Sequence, residues 1–377
     1  MKIVGILCEY NPLHLGHAKQ ISSIRKSSGP DTAVVCLMSG NFVQRGQPAI
    51  FDKMLRARAA LEAGADLVLE LPVTYALSSA EGFAAGAVSI LGTFCDEMSF
   101  GAEHPQPQAL LDTARALLSP NFSCHLRRHL DAGLSFPSAR AKALADMGAH
   151  AQLVSCPNDI LAVEYCKAIL SQNCPMQPAP IHRPGSYHDV TADPENPSAT
   201  SLRLLMETGG DFRPFVPTDL FAGAPVHTLA QGEKAILARL RTMTDAEFEA
   251  LPYGSEGLWR KFMRECRQKN TLEEILTAVK SKRYTRTRLD RMAMCAFLGL
   301  TAEDLASPAP YTRVLGFTRR GQEVLHKAKQ HTPIYNVGQR VDDPFWQLEQ
   351  RCSDLYGLFA AETEPAGMEP KRRVILL

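Results

Sequence analysis

The 377-residue chain has no low-complexity tract and no Cys-x-x-Cys pair, and none of its uninterrupted apolar runs reaches the roughly 18 residues of a membrane span. These absences argue against a disordered or fibrous protein, a small disulfide scaffold and a helical membrane protein. The ten cysteines are scattered from Cys8 to Cys352 and suit a reduced, cytoplasmic protein. Met1-Lys2 passes straight into an apolar strand, without the apolar core and small-residue cleavage site of a signal peptide, so export is not expected. Nor is either sign of charge in excess: 41 Lys and Arg face 40 Asp and Glu, and a formal net charge of +1 names no partner.

What is present is an ordinary globular composition, 45% hydrophobic and 21% charged. The length suits two domains of roughly 100–200 residues each. Ile3–Leu7, Thr32–Met38, Ala65–Leu71 and Glu97–Glu103 read as short buried strands, with helices expected at His14–Ser27, after Asp52 and over Ser78–Leu91. Strands alternating with helices imply an α/β fold with a parallel sheet, whose ligands bind at the carboxyl ends of the strands. The loops after Leu7, Met38 and Phe100 are therefore expected to face one site.

Residues 106–147 read as a helical insertion, followed by a helix opening at Pro157-Asn158 and a last strand over Met176–Arg183. A loop rich in Pro, Asp and Asn over 189–197 leads to the helix start at Ser198. We expect residues 1–207 to form the sheet domain and 208–377 a mainly helical one, with mixed signals over 311–358 and a loose tail from Glu362.

His14-Leu15-Gly16-His17 places two imidazoles three residues apart at a helix start, where free N–H groups favour anions and a glycine lets phosphate approach. Each imidazole can donate to a phosphate oxygen as charge builds in the transition state, which is what adenylyl transfer requires. The same four residues also fit a solvated helix start or a metal site with Cys8, although zinc would want more ligands at tight spacing.

Ser198, Thr200, Ser201 and Arg203 form a second anion-binding patch suited to leaving pyrophosphate, or else an N-cap with a surface arginine. In the loop after the second strand, Asn41, Gln44 and Arg45 either shape a substrate pocket or belong to a structural turn around Phe42. Asp52 suits a helix cap, and Lys53 has the length to reach phosphate. From Arg260 to Arg291 eleven Lys and Arg face four Asp and Glu. Lys282, Arg283, Arg286, Arg288 and Arg291, with Tyr284 among them, present either a solvated face or phosphate contacts with one stacking ring for RNA.

In order along the chain, Glu9–His17, Met38–Gly46, Pro48–Lys53, Phe100–Glu103, Pro157–Leu161, Ser198–Arg203, Tyr284–Arg288 and Arg313–Phe317 resemble the motifs of the tRNA(Met) cytidine acetate ligase family. This is a branch of the H-x-G-H nucleotidyltransferase superfamily, and its first motif is similar to that of pantetheine-phosphate adenylyltransferases. The long second and third motifs are far more specific than H-x-G-H. Leu13 and Leu15 stand where the family more usually has Phe and Asn, positions that supply no reacting group.

The resemblance implies a Rossmann-like nucleotidyltransferase sheet and an enzyme that converts acetate and ATP to acetyl-adenylate and pyrophosphate. The acetyl group would then pass to N4 of the wobble cytidine of elongator tRNA(Met). It implies ATP contacts on the segment Ile6–Gln20, taken here as Ile6, Leu7, Asn11, Pro12, His14, Gly16, His17 and Gln20, and on Gly101, Asn158 and Arg183. His14, His17 and Arg203 are the expected catalytic groups, and magnesium is expected to travel with the triphosphate. Two alternatives stay open: an adenylyltransferase for a small phosphorylated metabolite, and a nucleotide-responsive RNA-binding protein without catalysis.

Overall fold

A computed structural model describes residues 1–183, 193 and 197–377. Most of the expected loop at 189–197 therefore lies outside the described residues.

The first part of the chain alternates strand and helix. β1 (Ile3–Cys8), α1 (Leu15–Ser28), β2 (Ala33–Ser39), a small hairpin of β3 (Phe42–Val43) and β4 (Gln47–Pro48), α2 (Lys53–Glu62) and β5 (Leu67–Leu71) come first. They are followed by α3 (Val73–Ala76), α4 (Ala80–Leu91) and β6 (Glu97–Ala102). The helical insertion is α5 (Pro107–Leu118), α6 (Pro120–Asp131) and α7 (Phe136–Asp146), and it leads to α8 (Pro157–Ser171) and β7 (Gln177–His182). β1, β2 and β5 are buried at every position, because helices cover both faces of a parallel sheet.

After α9 (Ala199–Glu207), a helical layer is built from α10 (Leu229–Thr242), α11 (Asp245–Glu249), α12 (Leu258–Gln268), α13 (Leu272–Val279), α14 (Arg286–Leu298) and α15 (Ala302–Ala306). Its core gathers Leu240, Phe248, Phe262, Ile275 and Met292, and Phe42 and Leu77 from the sheet region join it. The chain then supplies β8 (Thr312–Phe317), α16 (Arg319–Ala328), β9 (Ile334–Asn336), α17 (Pro344–Tyr356) and β10 (Ile375–Leu376).

Among the described residues the sheet has eight strands in the order β10-β8-β5-β2-β1-β6-β7, with β9 also paired to β8. All pairs are parallel except β5 with β8. The stretch read as mixed signals thus returns to the sheet, and the tail from Glu362 is not loose. Glu369 is fully buried and Arg372 clasps Asp52 through two hydrogen bonds. The local pattern misses this because a six-residue strand carries no mark of its partner, and the tail's anchors are charged residues that read as surface.

Candidate active site

Successive strands β1, β2 and β5 step one way across the sheet, whereas β6 and β7 lie on the other side of β1. The order therefore reverses between β1 and β6, and crossovers leaving on opposite sides open a crevice at the carboxyl ends of these strands. A cavity of about 640 Å³ lies there, reached by the loops after Leu7, Met38 and Phe100 as expected.

The turn after β1 contains a cis Asn11–Pro12 peptide and delivers His14 as the N-cap of α1. The backbone N–H of Gly16 donates to His14 Nδ1 at 3.1 Å, and that of His14 donates to His17 Nδ1 at 3.3 Å. The two rings stack with centroids 3.7 Å apart. Gly16 permits this, since a Cβ at that position would lie 3.0 Å from the His14 ring.

Burial, helped by Arg183 and Arg203, depresses His14 to a pKa of about 3. Burial, with His14 and Arg183 adding to it, likewise holds His17 well below the ordinary histidine value. Both imidazoles are neutral near pH 7, and with each Nδ1 accepting a backbone proton, the ring proton resides on Nε2. His14 Nε2 is buried and has no partner among the described residues. The pair is thus a set of fixed N–H donors awaiting acceptor oxygens.

Loops around the histidines are pinned from below. Arg56, fully buried in α2, donates to the carbonyls of Phe51, Glu9, Ser39 and Gly40. Asn11 Oδ1 accepts from the Ile50 amide at 2.6 Å, and Arg203 reaches from α9 to the Asn11 carbonyl at 2.6 Å and to Thr200 Oγ1 at 3.2 Å. On the β6 side, Glu103 caps the start of α8 by accepting from the Asn158 side chain and the Asp159 amide. Gly101 leaves room for Arg183, whose Cδ would lie 3.1 Å from an added Cβ.

Of the residues expected at the site, Ile6, Leu7, Asn11, His14, Gly16, His17, Gln20, Gly101, Asn158, Arg183, Ser198, Thr200 and Arg203 all line this cavity. Pro12 and Ser201 do not: the Ser201 hydroxyl turns back to the Ser198 carbonyl. Gln44 and Arg45 line it, but Asn41 instead accepts from the Lys53 amide. Lys53 does not reach the cavity either, being buried between Glu70 and Glu369. Leu13 is packed in the core, so its departure from Phe is a matter of packing.

The basic segment divides. Lys282 and Arg283 are exposed, Arg283 pairing with the exposed Glu256, whereas the half-buried Arg286 pairs with Glu273 and Asp290 and Arg288 donates to the Tyr253 carbonyl. Arg291 is only 8% exposed, donates to the Gln44 carbonyl and lines the cavity, so it is not a surface contact. Sequence reasoning singled out no individual role for Glu9, Lys19, Tyr165 and His182, which also line the cavity; Glu9 and His182 stand at strand ends, whereas Lys19 and Tyr165 lie within α1 and α8 and carry no local signal.

With this geometry in hand, residues 1–370 match the family described as HIGH Nucleotidyl Transferase. The tRNA(Met) cytidine acetate ligase of a Geobacillus species is 34% identical, covering 97% of this chain and 96% of that protein. The ligase of Acetivibrio thermocellus is also 34% identical, over the whole of both chains. The chain belongs to the tRNA(Met) cytidine acetate ligase family. Crystal structures of another protein, Thermotoga maritima TmcAL, superpose with TM-scores of 0.91 in the apo form and 0.87 with alpha-thio ATP bound. Each is 30% identical and covers all of both chains. The α/β sheet and its crevice are those of a ligase-family nucleotidyltransferase. No described helix is long and apolar enough to cross a membrane.

Proposed function

We infer that the protein joins acetate to ATP, releasing pyrophosphate, and passes the acetyl group from acetyl-adenylate to N4 of the wobble cytidine of elongator tRNA(Met). The observation that carries this reading is the stacked histidine pair at the switch point, with both Nε2–H groups preset as donors. An acetate oxygen attacks the α-phosphorus in line with pyrophosphate, forming the new P–O bond as the bond to the β-phosphate oxygen breaks. His14 and His17 donate to phosphate oxygens whose charge grows, while Arg183, Arg203, Ser198 and Thr200 hold the triphosphate at the starts of α8 and α9.

Among the described lining residues Glu9 carries the one carboxylate. This donor set fits a magnesium ion borne by triphosphate oxygens and water rather than by a protein cage. Residues 1–207 hold the nucleotide-binding groups, and residues 208–377 add tRNA contacts, with Lys282 and Arg283 outermost. The ten cysteines are all free thiols, which supports a cytoplasmic setting.

The test is acetate-dependent ATP–pyrophosphate exchange, followed by acetyl transfer from labelled acetate to tRNA(Met). Exchange should require acetate, and label should appear on one cytidine. Exchange with a phosphate monoester but none with acetate would overturn the reading.

A further inference from the structure

The second half of the reaction needs a group that the first half does not. When N4 of cytidine attacks an acyl carbon it becomes cationic, and a base must take its proton for the amide to persist. The adenylate phosphate is weakly basic until its bond to the acyl carbon has broken, so it is a poor acceptor while N4 attacks. The histidines are not suited either, because each Nδ1 is occupied by a backbone N–H and each Nε2 already carries hydrogen.

We propose that Glu9 is the general base of acetyl transfer, a role that rests on the ligase reading above. Glu9 is the first residue beyond β1 and the one carboxylate among the described residues lining the cavity. Its Oε1 accepts the Gln44 amide at 2.6 Å, and Oε2 accepts no hydrogen bond among the described residues. One oxygen therefore fixes the carboxylate and the other is left to act.

Its position also suits the acceptor. The Gln44 carbonyl takes Arg291 of α14, the helix that follows the exposed basic residues, so a single residue ties Glu9 to the basic side of the cavity. His14 and His17 follow at the other end of the same turn, five and eight residues on from Glu9. Glu9 thus stands where a base entering past α14 meets an acyl group held at the histidines.

In the step, the N4–carbon bond forms and the carbon–oxygen bond to AMP breaks, its electron pair leaving on phosphate. The N4 proton passes to Glu9 Oε2 and later to water. Burial raises the Glu9 pKa above the usual carboxylate range, opposed by the Gln44 amide and by Arg203, Arg56 and Arg45. These come from α9, α2 and the β3–β4 turn; Tyr165 of α8 and Cys8 of β1 also neighbour it, both kept neutral by burial. A raised value makes a stronger base.

The experiment separates the half-reactions. Glu9→Gln keeps an oxygen for the Gln44 amide, so the loop is preserved. It should retain at least a tenth of acetate-dependent exchange, while single-turnover transfer from enzyme-bound acetyl-adenylate to tRNA(Met) falls about 100-fold or more. Its transfer rate should also lose the rise with pH that marks ionisation of the base. Glu9→Asp should keep that rise, and so should His182→Asn, which removes the exposed imidazole at the cavity rim. Transfer within threefold of wild type, an unchanged pH profile, or equal losses in exchange and transfer would each overturn the assignment for Glu9 while leaving the ligase reading standing. Absence of acetate-dependent exchange in the wild type would overturn both.

Discussion

Two regions of this molecule gather charge, and they do so to opposite ends. In the cavity, Lys19, Arg45, Arg183, Arg203 and Arg291 share the described wall with one carboxylate, Glu9. Beyond β5, behind the Met38–Gly46 loop, Lys53 and Arg313 are almost fully buried with Glu70, Glu349 and Glu369 around them. Arg372 and Asp52 extend that cluster. The first region concentrates positive groups around an open cleft, and the second is balanced internally. A buried ion cluster of that kind adds little net stability over an apolar core, but removing one member leaves a charge stranded. It explains why Lys53, long enough for phosphate, belongs to the architecture instead.

The largest effect should come from breaking the balanced cluster. Glu369→Ala leaves Lys53 and Arg313 to share Glu70 and Glu349, stranding a positive charge, and should cost about 3–5 kcal/mol of unfolding free energy in denaturant titration. A loss below about 1 kcal/mol would show that the cluster is not a joint for the C-terminal segment.

Removing a donor from the cavity should do the reverse, costing rate more than stability. His17→Ala should lower acetate-dependent exchange by roughly 10²–10³. The lost cap over the His14 amide should cost only about 1 kcal/mol in stability. Because both imidazoles are neutral, these two groups should add no titration to exchange between pH 6 and 9. A limb abolished by His17→Asn would contradict the neutral state of that imidazole.

A smaller effect concerns pH. Glu349 is pushed up to about 7, first by burial and then by Glu70 and Glu369, with Arg313 and Lys53 opposing. The native state therefore holds this proton more tightly than the unfolded chain does. The contribution to stability is complete below the ordinary carboxylate range and is lost as pH rises through about 7. Glu349→Gln should flatten that decline, a change on the order of 1–3 kcal/mol between pH 5 and 9. An unaltered slope would place the titration elsewhere.

The mildest change sharpens the outer edge of the cavity's charge. Lys282→Ala with Arg283→Ala should weaken tRNA affinity several-fold and reduce its salt dependence by about one to two phosphate contacts. Arg286→Ala should act mainly through stability, since that guanidinium is engaged by Glu273 and Asp290. Equal salt slopes for wild type and the double variant would return these residues to a solvated face.

Much of the fold was legible because its strongest signals are local. The apolar runs of β1, β2 and β5, the capping Asp52 and the helix start at Pro157 each depend on neighbours a few residues away. His14, Gly16 and His17 were legible for the same reason, lying within one turn after a buried strand. What stayed hidden depends on distant partners. Arg286, Arg288 and Arg291 look alike along the chain, yet contacts with Glu273, Tyr253 and Gln44 divide them into an ion-paired residue, a loop clamp and part of the cavity wall. Lys53 and Asn41 were drawn inward by Glu70, Glu369 and each other.

The sequence by itself determined that a parallel α/β sheet would present an anion-binding helix start at the end of its first strand, since hydrophobic period and capping chemistry are written in adjacent residues. Only the tertiary structure decided that β8 and β10 return to that sheet, that both imidazoles carry hydrogen on Nε2, and that Glu9 alone among the described lining residues brings a carboxylate to the cavity. Strand partners, tautomers and the company of a charge are set by groups far apart in the chain, and they exist only once the chain has packed.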